Sequence, residues 1–124
     1  MKQAAVALAV CSILAITGSA LADDGSKAAR LREEITTLIG PATCANLVNC
    51  RVAALGVDAC GGPLEFVAYS WLSTEKDVLE TRIAEYNFVQ EDLQKKSGAV
   101  GACVVKPQPV AACINRRCVL SGSK

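Results

Sequence analysis

The chain has no histidine in 124 residues. That removes the side chain that most often serves as general base beside a nucleophile, so Ser-His-Asp and Cys-His arrangements are excluded. It also removes the commonest neutral nitrogen ligand for zinc. No two cysteines stand in Cys-x-x-Cys spacing, so the usual redox motif is missing. The spacings Cys44-x5-Cys50 and Cys113-x4-Cys118 are not those of a zinc knuckle. Aromatics are sparse at 4%, and Gly61-Gly62 is followed by proline instead of opening a helix, which excludes a phosphate loop of the usual kind. The charges nearly balance, with 13 basic and 12 acidic residues and a formal net charge of +1. The electrostatic footprint of a nucleic-acid binder is therefore absent.

The first residues carry a targeting pattern. Met1-Lys2-Gln3 supplies one positive charge, Ala4 to Ile16 is uncharged and mostly apolar, and Thr17-Gly18-Ser19 precedes Ala20-Leu21-Ala22. Small residues at Ala20 and Ala22 suit the shallow pockets of a signal peptidase, so residues 1–22 are expected to be a cleaved signal peptide. A membrane anchor needs about 20 apolar residues and a basic flank. This run is shorter, and Asp23-Asp24 follow it. A lipid-bearing Cys11 is disfavoured by bulky Val10 just before it.

Removing 22 of the 124 residues leaves 102, the size of one domain, expected over 23–124. Lys2 is the only charge lost, so the mature chain is formally neutral. The loss of Cys11 turns seven cysteines into six: Cys44, Cys50, Cys60, Cys103, Cys113 and Cys118. An even set behind a signal peptide predicts three disulfides formed in an oxidising compartment, periplasmic or secreted. Each can contribute about 2–4 kcal/mol to a domain whose net stability is small. Six cysteines allow about 15 pairings, and the sequence does not choose among them. The short separation of Cys113 and Cys118 suggests a local staple.

Apolar residues at Ala28, Leu31, Ile35, Leu38 and Ile39 predict an amphipathic helix over 27–39, stopped by Gly40-Pro41. Leu79, Ile83, Tyr86, Val89 or Gln90, and Leu93 predict a longer one. It is expected to start at Thr74 as N-cap, to run to about Lys96, and to close at Ser97-Gly98. Residues 45–49 read as a turn or short helical piece and 51–56 as a strand. Cys60-Gly61-Gly62-Pro63 reads as a fixed corner. In the tail, Val104-Val105 and Val110 to Ile114 are expected to pair across 106–109, with a second tight turn at Asn115-Arg116-Arg117. The fold expected is α+β: two helices, the second long, on a small antiparallel sheet drawn from residues near 50–56 and 103–120, stapled by disulfides.

The order Cys44…Cys50…Gly56…Cys60-Gly-Gly-Pro…Tyr69-Ser70…Leu79…Tyr86-Asn87…Cys103…Pro109…Cys113…Cys118 resembles small exported six-cysteine proteins of Gram-negative bacteria. The resemblance covers nearly the whole mature chain. It implies export and disulfides, and it transfers no activity and no catalytic residue.

Catalytic candidates are few. Ser73…Lys76 has a Ser–Lys spacing that a helix start also explains. Glu33-Glu34, Asp77…Glu80 and Glu91-Asp92 fall where helices want solvated charge. The expectation is a non-enzyme with no cofactor and no metal. Two surfaces suit binding to another protein. After the rigid corner come Phe66, Tyr69 and Trp71, side chains that bury much area with few rotors. The plainer alternative is that they fill the core. In an extended segment Tyr69 and Trp71 share a face and Phe66 takes the other. The second surface is the 115–117 turn, where Arg116 or Arg117 would enter an acidic pocket, as the reactive loop of an inhibitor does. The alternative there is a hairpin turn with solvent-facing arginines. The functional expectation is an exported binding module, an inhibitor or immunity-type protein. The rival is an envelope-associated structural protein without a discrete ligand.

Overall fold

In the computed structural model, which describes residues 20–98, 101 and 103–123, the elements follow one another as α1 (Ala20–Ile39), a 3-10 turn (Leu47–Asn49), β1 (Cys50–Leu55), β2 (Glu65–Ser70), α2 (Lys76–Ser97), β3 (Pro109–Ile114) and β4 (Arg117–Ser123). The expected leader, including Cys11, lies mostly outside the described residues. Helix α1 starts at Ala20, earlier than the apolar spacing predicted, and runs through the expected cleavage junction after Ala22.

The two helices pack on each other through the predicted stripes. Ala28, Leu31 and Ile35 from α1 meet Leu79, Ile83, Tyr86 and Val89 from α2. These positions recur at three and four residues, so they share one helical face. Strands β1 and β2 close this core. Alternation along a strand sends Ala53, Leu55, Val67 and Tyr69 to the helix side. Cys50 and Ala68, of opposite parity, turn to a second cluster with Ala42, Cys44, Cys113 and Cys118. The layers are therefore helices, the β1–β2 hairpin, and the β3–β4 hairpin on its far side.

The α+β class is as the sequence predicts, but the pairing of strands differs. Strand β1 does not pair with the tail. It pairs antiparallel with β2, Cys50 opposite Ser70 and Leu55 opposite Glu65. Residues 103–108 form no strand, and β3 pairs with β4 instead of with Val104-Val105. Pro107, inside that segment, lacks the N–H a ladder needs.

The helix start also differs. Thr74 does not cap α2. It is buried, and its hydroxyl donates to the carbonyl of Leu38 at the end of α1 (3.0 Å), tying the two helices. Glu75 occupies the cap position without a side-chain cap bond. At the other end Gly98 takes the left-handed conformation, φ 61°, as expected.

The Cys-Gly-Gly-Pro corner is held by Asp58. Its carboxylate accepts from the amides of Cys60 and Gly62, both at 2.9 Å, and its own amide donates to the Gly62 carbonyl. Next to it, the Gly56 amide donates to the Asn87 side chain (2.8 Å), locking the strand end to α2.

Candidate functional site

All six sequence-identified cysteines are bridged: Cys44 to Cys113, Cys50 to Cys118, and Cys60 to Cys103. The expected local staple between Cys113 and Cys118 is not formed. Those two residues are direct cross-strand partners, yet each bonds outward, to Cys44 and Cys50. The reason lies in the chain on the outer edge of β4. The Cys118 amide donates to the Ala42 carbonyl (2.8 Å), the Cys44 amide donates to the Arg116 carbonyl (3.0 Å), and Thr43 bridges to Arg117. Residues 42–44 thus lie along the hairpin as a short third strand and bring Cys44 to it. The sulfurs of Cys44, Cys50 and Cys113 lie within 4.8 Å of one another. Thiolates at such spacing suit a zinc ion, but bridged sulfurs offer no thiolate. The Cys60–Cys103 bridge is different. Both residues are exposed, and it ties the corner to the extended segment of residues 103–108.

The aromatic trio divides. Tyr69 is 6% exposed and belongs to the helix-side core. Phe66 is half-buried on the opposite face of β2. Trp71, just past the strand, is 51% exposed. It is nevertheless fixed, because its backbone amide donates to Asn49 (3.1 Å) and its indole N–H donates to the Val48 carbonyl (2.9 Å). Leu47, Val48 and Leu72 are exposed around it. The 3-10 turn beneath is itself braced, since the buried Asn49 side chain accepts from the amides of Ala45 (2.9 Å) and Asn46 (3.2 Å). The sequence pointed to Trp71. It gave no sign of Leu47 and Val48, whose exposure follows from Asn49, not from a hydrophobic pattern.

The tail turn consists of two residues, Asn115 and Arg116, both at positive φ (51° and 63°). That is the signature of a type I′ hairpin, whose twist matches the flanking strands. Arg117 is not part of the turn; it opens β4 opposite Ile114. Arg116, Arg117 and Ile114 are all exposed. Both candidate surfaces hang on the same sulfur cluster. Cys50 is opposite Ser70, the residue before Trp71, and its bridge ends at Cys118 directly behind the tip.

Several of the catalytic candidates are held in ion pairs. Lys76 pairs with Glu80 (3.2 Å), and the hydrogen bond its ammonium donates to that carboxylate, with the carboxylate's charge, raises the lysine pKa further from the range a base needs. Glu91 and Asp92 pair with Lys95 and Lys96. A groove of about 490 Å³ between the helices is lined by Glu33, Glu34, Leu38, Val78 and Arg82, and there Arg82 holds Glu34 at 3.3 Å. Among the described residues no helix is long and apolar enough to cross a membrane. Compared with protein-family profiles, with curated proteins and with solved structures, the chain matches none of them.

Proposed function

We infer that this is an exported module that binds another protein, in the manner of an inhibitor or an immunity-type antidote, in the periplasm or outside the cell. The observation that carries the reading is Trp71: a large side chain half in solvent, yet held by two hydrogen bonds on a disulfide-tied frame. An aromatic fixed before contact loses little entropy on binding, and such anchors dominate interface energies. Exposed Leu47, Val48 and Leu72 extend the apolar centre, and Arg116 and Arg117 supply charge at the neighbouring hairpin tip. Three bridges fit an oxidising compartment, and the resemblance to exported six-cysteine proteins points the same way.

The test is site-specific photo-crosslinking in living cells, with the reactive group at Leu72 or Ile114 and a control at Thr81, exposed on α2. The expected result is one discrete heteromeric adduct from Leu72 or Ile114, absent at Thr81 and lost with Trp71→Ala. Adducts no different from the control would refute the reading and favour a structural envelope protein with no saturable partner.

A further inference from the structure

We propose that the four-cysteine cluster is a substrate site for a thiol–disulfide isomerase, which converts a locally bridged form, Cys44–Cys50 with Cys113–Cys118, into the crossed form seen here. The fold that holds the crossed bonds also brings the residues of the local pairs close together. The Cys50 sulfur lies within 4.8 Å of the Cys44 sulfur to which it is not bonded. Cys113 and Cys118 are opposite residues next to a two-residue turn. The Cys118 amide points away from β3, to Ala42, so this is a non-hydrogen-bonded pair. The Cα atoms of such a pair lie about 4.5 Å apart, within the range a disulfide spans.

The local form is kinetically favoured. The native bonds join residues 69 and 68 apart, whereas Cys44 and Cys50 are six apart. Loop-closure scaling favours the short contact roughly 40-fold. In a chain exported N-terminus first, which rests on the export reading, Cys44 and Cys50 also meet oxidant before Cys113 exists in the same compartment. The crossed form is favoured by packing, because only it fastens residues 42–44 and β1 to the hairpin. In the local form Cys60–Cys103 alone joins the hairpin segment to the rest.

The conversion balances without net electrons. An isomerase thiolate attacks the Cys118 sulfur, forming a mixed disulfide and releasing the Cys113 thiolate. That thiolate attacks the Cys44 sulfur, forming Cys44–Cys113 and releasing the Cys50 thiolate. The Cys50 thiolate attacks Cys118, forming the second native bond and returning the enzyme thiolate.

Reduced, unfolded full chain is refolded with oxidised glutathione alone, with a reduced/oxidised glutathione couple, or with an added dithiol isomerase. Samples are acid-quenched, alkylated and mapped by mass spectrometry. The expected early species carry Cys44–Cys50 and Cys113–Cys118. Native pairing then rises at least tenfold faster when thiolate is present. Crossed bonds formed first, at full yield and without thiol, would overturn the proposal. A Cys44→Ser/Cys113→Ser variant cannot form either local bridge. Its Cys50–Cys118 bond is expected to form without thiol dependence, and persistent dependence would also overturn it. The trapped species of the unaltered chain decide the matter if the variant fails to fold. The photo-crosslinking result is independent of this outcome.

Discussion

Cys113 and Cys118 face each other across β3 and β4 and are bonded to different partners, Cys44 and Cys50. A bond between them would close only a turn that Asn115 and Arg116 already close. The crossed bonds instead fasten the hairpin to the edge segment of residues 42–44 and to the first residue of β1. Neither bond constrains the same loop as a local staple would, which makes the bridges unequal in effect.

Removing Cys50–Cys118 as a double alanine variant is expected to cost more than removing Cys60–Cys103. Loop entropy alone would put both near 4 kcal/mol, with separations of 68 and 43. The difference comes from burial: Cys50 and Cys118 are packed among Ala42, Cys44 and Ala68, whereas Cys60 and Cys103 are exposed. Urea unfolding is expected to show the Cys60/Cys103 variant still cooperative and the Cys50/Cys118 variant largely unfolded in buffer. The reverse order would contradict the layered packing.

Gly56→Ala is expected to destabilise by more than about 2 kcal/mol. An added Cβ would stand 2.8 Å from Leu64 Cδ1 and 2.9 Å from Leu64 Cβ, at φ 79°. Asn87→Ala leaves the Gly56 amide without its side-chain acceptor and is expected to cost about 1–3 kcal/mol. Leu64→Ala in the Gly56→Ala background removes the contact with Cδ1 but keeps the Cβ at 2.9 Å and the backbone strain. Thermal melts should therefore show partial and not full rescue.

At the tip, Arg116→Gly separates stability from recognition. Glycine after asparagine is the favoured type I′ pair, so the variant is expected to gain about 0.5–1 kcal/mol. If Arg116 contributes to binding, the same variant binds its partner more weakly. A lower melting temperature would mean the positive φ at Arg116 imposes no cost.

Thr74→Val is expected to lose about 1 kcal/mol, because valine keeps the shape but not the bond to Leu38. Lys96 joins the helix ends at a second place, pairing with Asp24 (2.7 Å) and Asp92 (2.8 Å). Those hydrogen bonds hold its pKa well above the ordinary 10.5. A raised folded-state value means the contribution is complete below about pH 10 and fades only as pH climbs past the folded value. Melts of the unaltered chain and of Lys96→Met are expected to differ at neutral pH and converge at strongly alkaline pH.

What the sequence disclosed was local. Helical spacing marked both core stripes, Gly40-Pro41 and Ser97-Gly98 marked their ends, and Asn115-Arg116 lay where a turn was expected. What it concealed depends on distant contacts. The β1–β2 ladder was hidden because Glu65–Ser70 lacks clean alternation. Thr74 resembles a cap because its role is set by Leu38, 36 residues away. The bridges were hidden because Cys44 reaches Cys113 only after residues 42–44 dock on β4. Trp71 was visible as a candidate. Its fixation was not, because it rests on the carbonyl of Val48 in a turn braced by Asn49.

The central claim is that two crossed bridges clamp the C-terminal hairpin to the rest of the fold and so set the surface around Trp71. The most direct measurement is disulfide mapping of native, unreduced protein, with fragmentation between Cys44 and Cys50 to distinguish their partners. The expected map is Cys44–Cys113, Cys50–Cys118 and Cys60–Cys103, with no free thiol among the six. Native material carrying Cys113–Cys118, or free thiols at most of these positions, would contradict it.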